Sequence, residues 1–218
     1  MLNDETNIGK RNLPKNLISD LPNQTLANFY DIADTNRGGI GEIFFCQDKV
    51  TKEFCVLKTF QEKGLSYMEL FEKEAAFALS LERHPNIVYT ETIEKNEHKY
   101  YMVMEFIGKK PKRLQEKVKG HTLVNEFNKN KEIPLKTVIK WALEFCEGME
   151  YLLSKGMTAH KDIKPSNLFI TEDGILKIGD FGLVSLINKC GTPGYRAPEY
   201  NKKLDIRSDI YSFGLVLY

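Results

Sequence analysis

The feature that most constrains this chain is the tract His160-Lys161-Asp162-Ile163-Lys164-Pro165-Ser166-Asn167, followed 13 residues after its Asn by Asp180-Phe181-Gly182. Between the two lies a stretch that reads as a hairpin: Leu168-Phe169-Ile170, a polar turn at Glu172-Asp173-Gly174, then Ile175-Leu176-Lys177-Ile178. The two motifs together supply two carboxylates, a lysine and an amide: Asp162, Asp180, Lys164 and Asn167. Each half alone is uninformative, because a hairpin with solvated charges on its flanks carries the same letters. In order, at this spacing, they offer a proton acceptor, a cation and two oxygen ligands for a hard metal ion.

Phosphoryl transfer needs those groups and little else. The two motifs resemble the catalytic loop and magnesium loop of eukaryotic-type protein kinases, whose pattern is H-R-D-x-K-x-x-N followed by D-F-G. The resemblance implies that Asp162 orients and accepts the proton of the attacking hydroxyl and that Lys164 meets the moving phosphoryl group. It also implies that Asn167 and Asp180 hold Mg2+.

Further segments carry the same resemblance in the same order. Asn36-Arg37-Gly38-Gly39-Ile40-Gly41-Glu42-Ile43 resembles the glycine-rich loop that covers the phosphates of ATP, with Asn36 in place of the first glycine. Asn tolerates unusual φ angles better than other non-glycine residues, so such a turn can persist. Cys55-Val56-Leu57-Lys58 resembles the V-A-I-K strand, so Lys58 is implied to contact the α- and β-phosphates. Its carboxylate partner is expected on the following helix at Glu74, with Glu72 as the alternative. Met104-Glu105-Phe106-Ile107 resembles the hinge, where backbone groups of Glu105 and Ile107 would bind adenine with Met104 behind it. Ile43 and Val56 would lie above the base and Phe169 below it. Gly191-Thr192-Pro193-Gly194-Tyr195-Arg196-Ala197-Pro198-Glu199 resembles the segment that seats a substrate peptide, and the resemblance implies that Thr192 belongs with the catalytic residues. Ser208-Asp209-Ile210 resembles the helix start whose Asp ties down the catalytic-loop backbone. With Lys164-Pro165-Ser166-Asn167, these segments point to protein Ser/Thr hydroxyls as acceptors rather than Tyr.

Bulk composition sets the remaining bounds. Hydrophobic residues are 42% and charged residues 28% of 218, which suits one large domain or two lobes. Net charge is +1, so no overall field favours nucleic acid or a membrane surface. The run Lys109-Lys110-Pro111-Lys112-Arg113 reads as a solvated face, with a docking patch for an acidic partner as the alternative. No apolar run is long enough to span a bilayer, and the first residues show no signal-peptide pattern. Cys46, Cys55, Cys146 and Cys190 lack metal-like spacing and are expected to be reduced, buried thiols of a cytoplasmic protein.

The expected architecture is α+β: a two-lobed, protein-kinase-like fold. Residues 1–26 read as a flexible lead-in with a turn near Leu17 to Leu21, 27–107 as an antiparallel sheet with one main helix, and 108–218 as a mostly helical, incomplete lobe. Met68, Phe71, Ala75, Ala78 and Leu81 recur at helical steps over 65–81. Val138, Ala142, Phe145, Met149 and Leu152 do so in a helix opened by Pro134 and closed by Gly156.

The departures from the family pattern are few. Lys161 replaces the usual Arg, and the stretch from Asp180 to Glu199 is short, with Ser185, Thr192 and Tyr195 as its hydroxyls. An active loop that needs no phosphorylation is therefore expected. Val56 and Phe169 add bulk around the adenine, and Ala78 and Thr90 stand where larger apolar residues are usual. The resemblance runs from about residue 29 to 218, with further helices of the family fold expected beyond it. Glu199 is accordingly expected to lack its usual Arg, and part of the apolar face of 210–218 to lack cover. The expected activity is ATP-dependent protein Ser/Thr phosphorylation. The alternatives are a pseudokinase or nucleotide-binding scaffold without efficient turnover, and a small-molecule kinase of the same fold.

Overall fold

A computed structural model describes residues 18–20, 26–37, 41–60, 65–96, 99–111, 118–129, 131–181, 191–202 and 204–218. The first unit is a six-stranded sheet in the order β1-β5-β6-β4-β3-β2, with one helix. Its elements are β1 (Ile18–Asp20), β2 (Tyr30–Arg37), β3 (Gly41–Asp48), β4 (Phe54–Phe60), α1 (Leu65–Ser80), β5 (Thr90–Asn96) and β6 (Lys99–Glu105). The second unit holds α2 (Leu123–Phe127), α3 (Leu135–Ser154), the hairpin of β7 (Leu168–Ile170) and β8 (Leu176–Ile178), and α4 (Ile206–Leu217).

Four of the five pairings in the large sheet are antiparallel; β1 pairs with β5 in parallel, Ile18 opposite Ile93. Where a turn is expected, Ile18–Asp20 is therefore a strand. The edge of β5 offers unpaired N–H and C=O groups, and an extended segment satisfies them. No alternation of residue types announces so short a strand.

Both faces of the sheet carry buried residues, but on β4 Cys55 and Leu57 are buried while Val56 and Lys58 on the opposite face are half-buried. Cys46, Cys55, Leu57, Tyr101 and Val103 form one face, with Leu26, Phe29 and Tyr30 packed over them. Ile93 and Met102 on the other face pack against Ala75 of α1. In the second unit, α3 turns Trp141, Phe145, Gly148, Met149 and Leu152 inward. Val138 and Ala142 are only half-buried, so the buried stripe is rotated from the expected one. Gly148 is the reason: a Cβ there would meet the Asn86 carbonyl and Ile178 Cδ1 at 3.0 Å, so the helix lies close on the β8 strand. Gly156, at φ +92°, ends the helix in the left-handed turn that glycine enters without penalty.

Phe145 stacks on Phe213 of α4 with ring centroids 3.8 Å apart. Burying each ring contributes about 1.5–3 kcal/mol, so this contact seats α4 firmly. Phe213 and Val216 are buried while Leu215 and Leu217 are exposed, so only part of the terminal apolar face is open. Glu199 is not orphaned as expected: it is half-buried and accepts a hydrogen bond from the Ser208 hydroxyl at 3.0 Å.

Cys46 and Cys55 stand opposite each other on β3 and β4, both free and buried. Burial pushes the Cys55 thiol up to about 12, and it raises the Cys46 thiol as well. Cys146 is exposed, against expectation, and Cys190 lies outside the described residues. Since the thiolate is the reactive form, brief alkylation at neutral pH should label Cys146 and spare Cys46 and Cys55 until denaturant is added. Peptide mass mapping checks this, and fast labelling of Cys55 in the native protein would contradict the packing.

Candidate active site

The site forms where the strand ends of the sheet meet the β7–β8 hairpin. Strand register sets its roof. Ile43 opposes Lys58 and Phe45 opposes Val56, so all four side chains share one face. Asn36 pairs with Ile43 and Arg37 with Glu42, which holds the flanks of the glycine-rich turn together. Gly38 and Gly39 lie outside the described residues, and Gly41 opens β3 opposite Phe60.

Lys58 is the hub of the charge arrangement. Its Nζ lies 2.7 Å from Glu74 Oε1 on α1 and 2.7 Å from Asp180 Oδ1 after β8. Glu74 rather than Glu72 makes the pair, because Glu74 shares the buried face of α1 with Ala75 and Ala78. Burial opposes the charge on Lys58, but the carboxylates of Asp180 and Glu74 outweigh it and hold its pKa above the ordinary lysine value. The Lys58 ammonium draws Asp180 down to about 2. Burial pushes Glu74 up against the pull of Lys58, and its second oxygen is buried without a partner among the described residues. Of the two carboxylates, Asp180 is therefore the firmly ionised one, and its side chain is 45% exposed. Its backbone has φ +65°, a region that non-glycine residues adopt rarely and that clusters at functional sites.

The catalytic-loop groups converge on Asp162. Its carboxylate accepts Thr192 Oγ1 at 2.8 Å on one oxygen, and Lys164 Nζ at 2.8 Å and Asn167 Nδ2 at 3.1 Å on the other. Lys164 Nζ also donates to Thr192 Oγ1 at 2.8 Å. Asn167 donates again to the Asp162 carbonyl at 2.9 Å, which fixes its amide nitrogen; its amide oxygen accepts the Ser166 hydroxyl at 3.4 Å and keeps a second lone pair. The turn Pro165–Asn167 orders this segment just before β7.

His160, which had no place in the sequence reading, and Asp209, the expected tie to the loop backbone, hold the loop to its neighbours. His160 is fully buried. Its Nδ1 takes the Asp162 N–H at 3.3 Å and its Nε2 meets the Gly179 carbonyl at 3.1 Å. A histidine opening the tract was the available signal. Gly179 admits this contact: a Cβ there would meet Val88 Cγ2 at 2.7 Å and Phe169 Cε2 at 2.9 Å. Asp209, at the start of α4, accepts the backbone N–H groups of His160 at 2.7 Å and Lys161 at 2.8 Å. Lys161 sits at φ +69° under that constraint.

Of the residues expected around adenine, Met104 and Glu105 end β6 and Ile107 follows. Met104 opposes Val56, and Phe169 is half-buried on β7. The Glu105 N–H is engaged by the Tyr89 carbonyl at 3.0 Å, and the Ile107 carbonyl takes His121 N–H at 2.9 Å. The Ile107 N–H has no partner among the described residues, so it is the hinge donor open to a ligand acceptor. Thr90, expected to be unusual, is buried with its hydroxyl unpartnered, and Ala78 is buried. The short loop with Ser185 lies outside the described residues.

The donor set fits Mg2+ and a nucleotide. Magnesium takes hard oxygen ligands from one or two protein groups and completes its shell with phosphate and water. An ionised Asp180 and the remaining lone pair of the Asn167 amide oxygen meet that need.

The protein kinase domain family matches residues 34–218. The chain is 31% identical over 199 residues to CBL-interacting serine/threonine-protein kinase 5 of Arabidopsis thaliana, covering 84% of this chain and 42% of that protein. It is 34% identical over 181 residues to a probable serine/threonine-protein kinase of Dictyostelium discoideum, covering 77% of this chain and 10% of the other. Against the human serine/threonine-protein kinase Nek5 the identity is 27% over 207 residues, covering 87% and 27% respectively. The chain thus spans less than half the length of these curated relatives.

Proposed function

The chain belongs to the protein kinase family, and from that premise we propose that it transfers the γ-phosphoryl group of ATP to Ser or Thr hydroxyls of protein substrates. The observation that carries the reading is the convergence of Lys164, Thr192 and Asn167 on the Asp162 carboxylate, beside a Lys58 held between Glu74 and Asp180.

Each residue then has one task. Asp162 is 6% exposed and carries three donors on its two oxygens, so its carboxylate is fixed to receive a hydroxyl proton. Lys164, already within 2.8 Å of both Asp162 and Thr192, presents its charge where the phosphoryl group passes. Lys58 orients the phosphates, and Glu74 keeps it in place. The backbone at Asn36, Gly38, Gly39 and Gly41 covers them. Glu105 and Ile107 present backbone groups to adenine, with Met104, Val56, Ile43 and Phe169 around the ring. Asn167 and Asp180 hold Mg2+, which neutralises phosphate charge when bound. Among the described residues no helix is long and apolar enough to cross a membrane, and a cytoplasmic setting is part of the proposal.

The test is transfer of labelled phosphate from ATP to a mixed Ser/Thr protein substrate and, separately, to a Glu-Tyr copolymer. Phosphoserine and phosphothreonine as products, at a rate abolished by EDTA, are expected. MgATP binding without transfer to either acceptor would replace this reading with that of a nucleotide-binding scaffold.

A further inference from the structure

Lys177 and the side chain of Glu105 have no task in the scheme above. Lys177 lies on β8, three residues before Asp180, and Glu105 ends β6 at the hinge. The Lys177 Nζ donates to Glu105 Oε1 at 2.6 Å and to the Ile87 carbonyl at 3.2 Å. The same carboxylate oxygen accepts the Tyr89 N–H at 2.7 Å. On its other side, the segment through residues 86–88 is stitched to β8. Val88 N–H meets the Ile178 carbonyl and Ile178 N–H meets the Asn86 carbonyl, both at 2.8 Å, while the Asn86 amide donates to the Leu176 carbonyl at 3.0 Å.

An unbroken path of hydrogen bonds therefore joins the hinge to the strand that ends two residues before Asp180. The two charged side chains are only 14% and 25% exposed, which separates this pair from the exposed ion pairs that contribute little. Lys49–Asp31 and Lys110–Glu53, by contrast, lie in the open.

We propose that Lys177 and Glu105 are positioning residues that fix the separation between the hinge and Asp180. The inference rests on the nucleotide reading above. A nucleotide held by its base at Ile107 must bring its phosphates to Asp180, and the pair sets that span before the ligand arrives. Neither side chain needs to touch the ligand. The geometry couples them to a ligand that spans both ends, and not to one that occupies the hinge alone.

Calorimetric titration of the full chain with MgATP and with adenosine separates these cases, because adenosine reaches the hinge and lacks the phosphates. Lys177→Met should weaken MgATP about tenfold, equivalent to about 1.4 kcal/mol, and leave adenosine within about twofold. Lys177→Arg should recover most of the loss. Glu105→Gln should match Lys177→Met, and the double variant should lose no more than either single one, as expected for two groups acting through one contact. Equal loss for both ligands, additive losses, or no loss would overturn the proposal. Amide exchange in the ligand-free protein gives a second readout. The Tyr89 and Ile178 amides should exchange faster in Lys177→Met than in Lys177→Arg, with the α3 amides unchanged. If wild type binds neither ligand, the nucleotide reading fails. The exchange data then still decide the brace, and unchanged exchange would overturn it.

Discussion

Asp162→Asn is expected to lower phosphoryl transfer by roughly 10²–10⁴-fold, the usual contribution of a positioned general base, while MgATP binding persists. Asp180→Asn is expected to lose both. The two carboxylates differ in surroundings and so in task. Asp162 is buried and saturated by Lys164, Thr192 and Asn167, and none of its contacts goes to Lys58. An amide there keeps an oxygen for Thr192 or Lys164 but cannot accept a proton. Asp180 is held ionised by Lys58 and is open on its other side. Replacing it removes the charge that attracts a divalent cation and one of the two anchors of Lys58. Calorimetric titration with MgATP, run beside a turnover assay, checks both variants. Equal loss of nucleotide binding in the two would contradict this division of tasks.

Much of this arrangement is legible in the chain before folding, for identifiable reasons. Helix α3 announces itself through a strong 3.6-residue period, and its start and stop are fixed by Pro134 and Gly156, whose effects are local. Spacing points to Glu74 as the partner of Lys58 and leaves Glu72 as the alternative. Glu72 and Glu74 point to different sides of the helix, and the packing of Ala75 and Ala78 decides between them. Other features depend on contacts that spacing does not encode. Trp141 replaces Val138 in the buried stripe because Gly148 lets α3 settle against Asn86 and Ile178. Strand β1 exists because β5 has an edge to offer. The bond between Lys177 and Glu105 joins residues 72 positions apart. Glu199 finds Ser208 instead of an arginine, since a helix start lies nearby and presents a hydroxyl.

Asp209→Ala is expected to destabilise the protein by roughly 3–5 kcal/mol and to abolish activity in whatever fraction stays folded. Asp209 is 1% exposed and is the acceptor for two consecutive backbone N–H groups, those of His160 and Lys161. Each buried donor left without a partner costs about 1–3 kcal/mol, and alanine can replace neither bond. Burial pushes the Asp209 carboxyl up, against the pull of His160 and the two N–H bonds, so burial is the larger influence on its charge. A carboxyl whose folded pKa is raised favours the native state most when protonated. Its ionisation therefore takes stability away as pH rises from about 4, the ordinary Asp value, through the raised one. Asp209→Asn tests this separation. It removes the charge penalty but keeps one acceptor oxygen and turns an N–H donor toward the other backbone N–H. It should therefore be less destabilising than alanine, yet still misplace Lys161, whose φ of +69° is held by that bond. Denaturant melts of the three proteins at neutral pH give the ranking, wild type above Asn above Ala. An alanine variant within about 1 kcal/mol of wild type would mean that the two N–H groups find other acceptors, since only a preserved hydrogen bond keeps the cost that low.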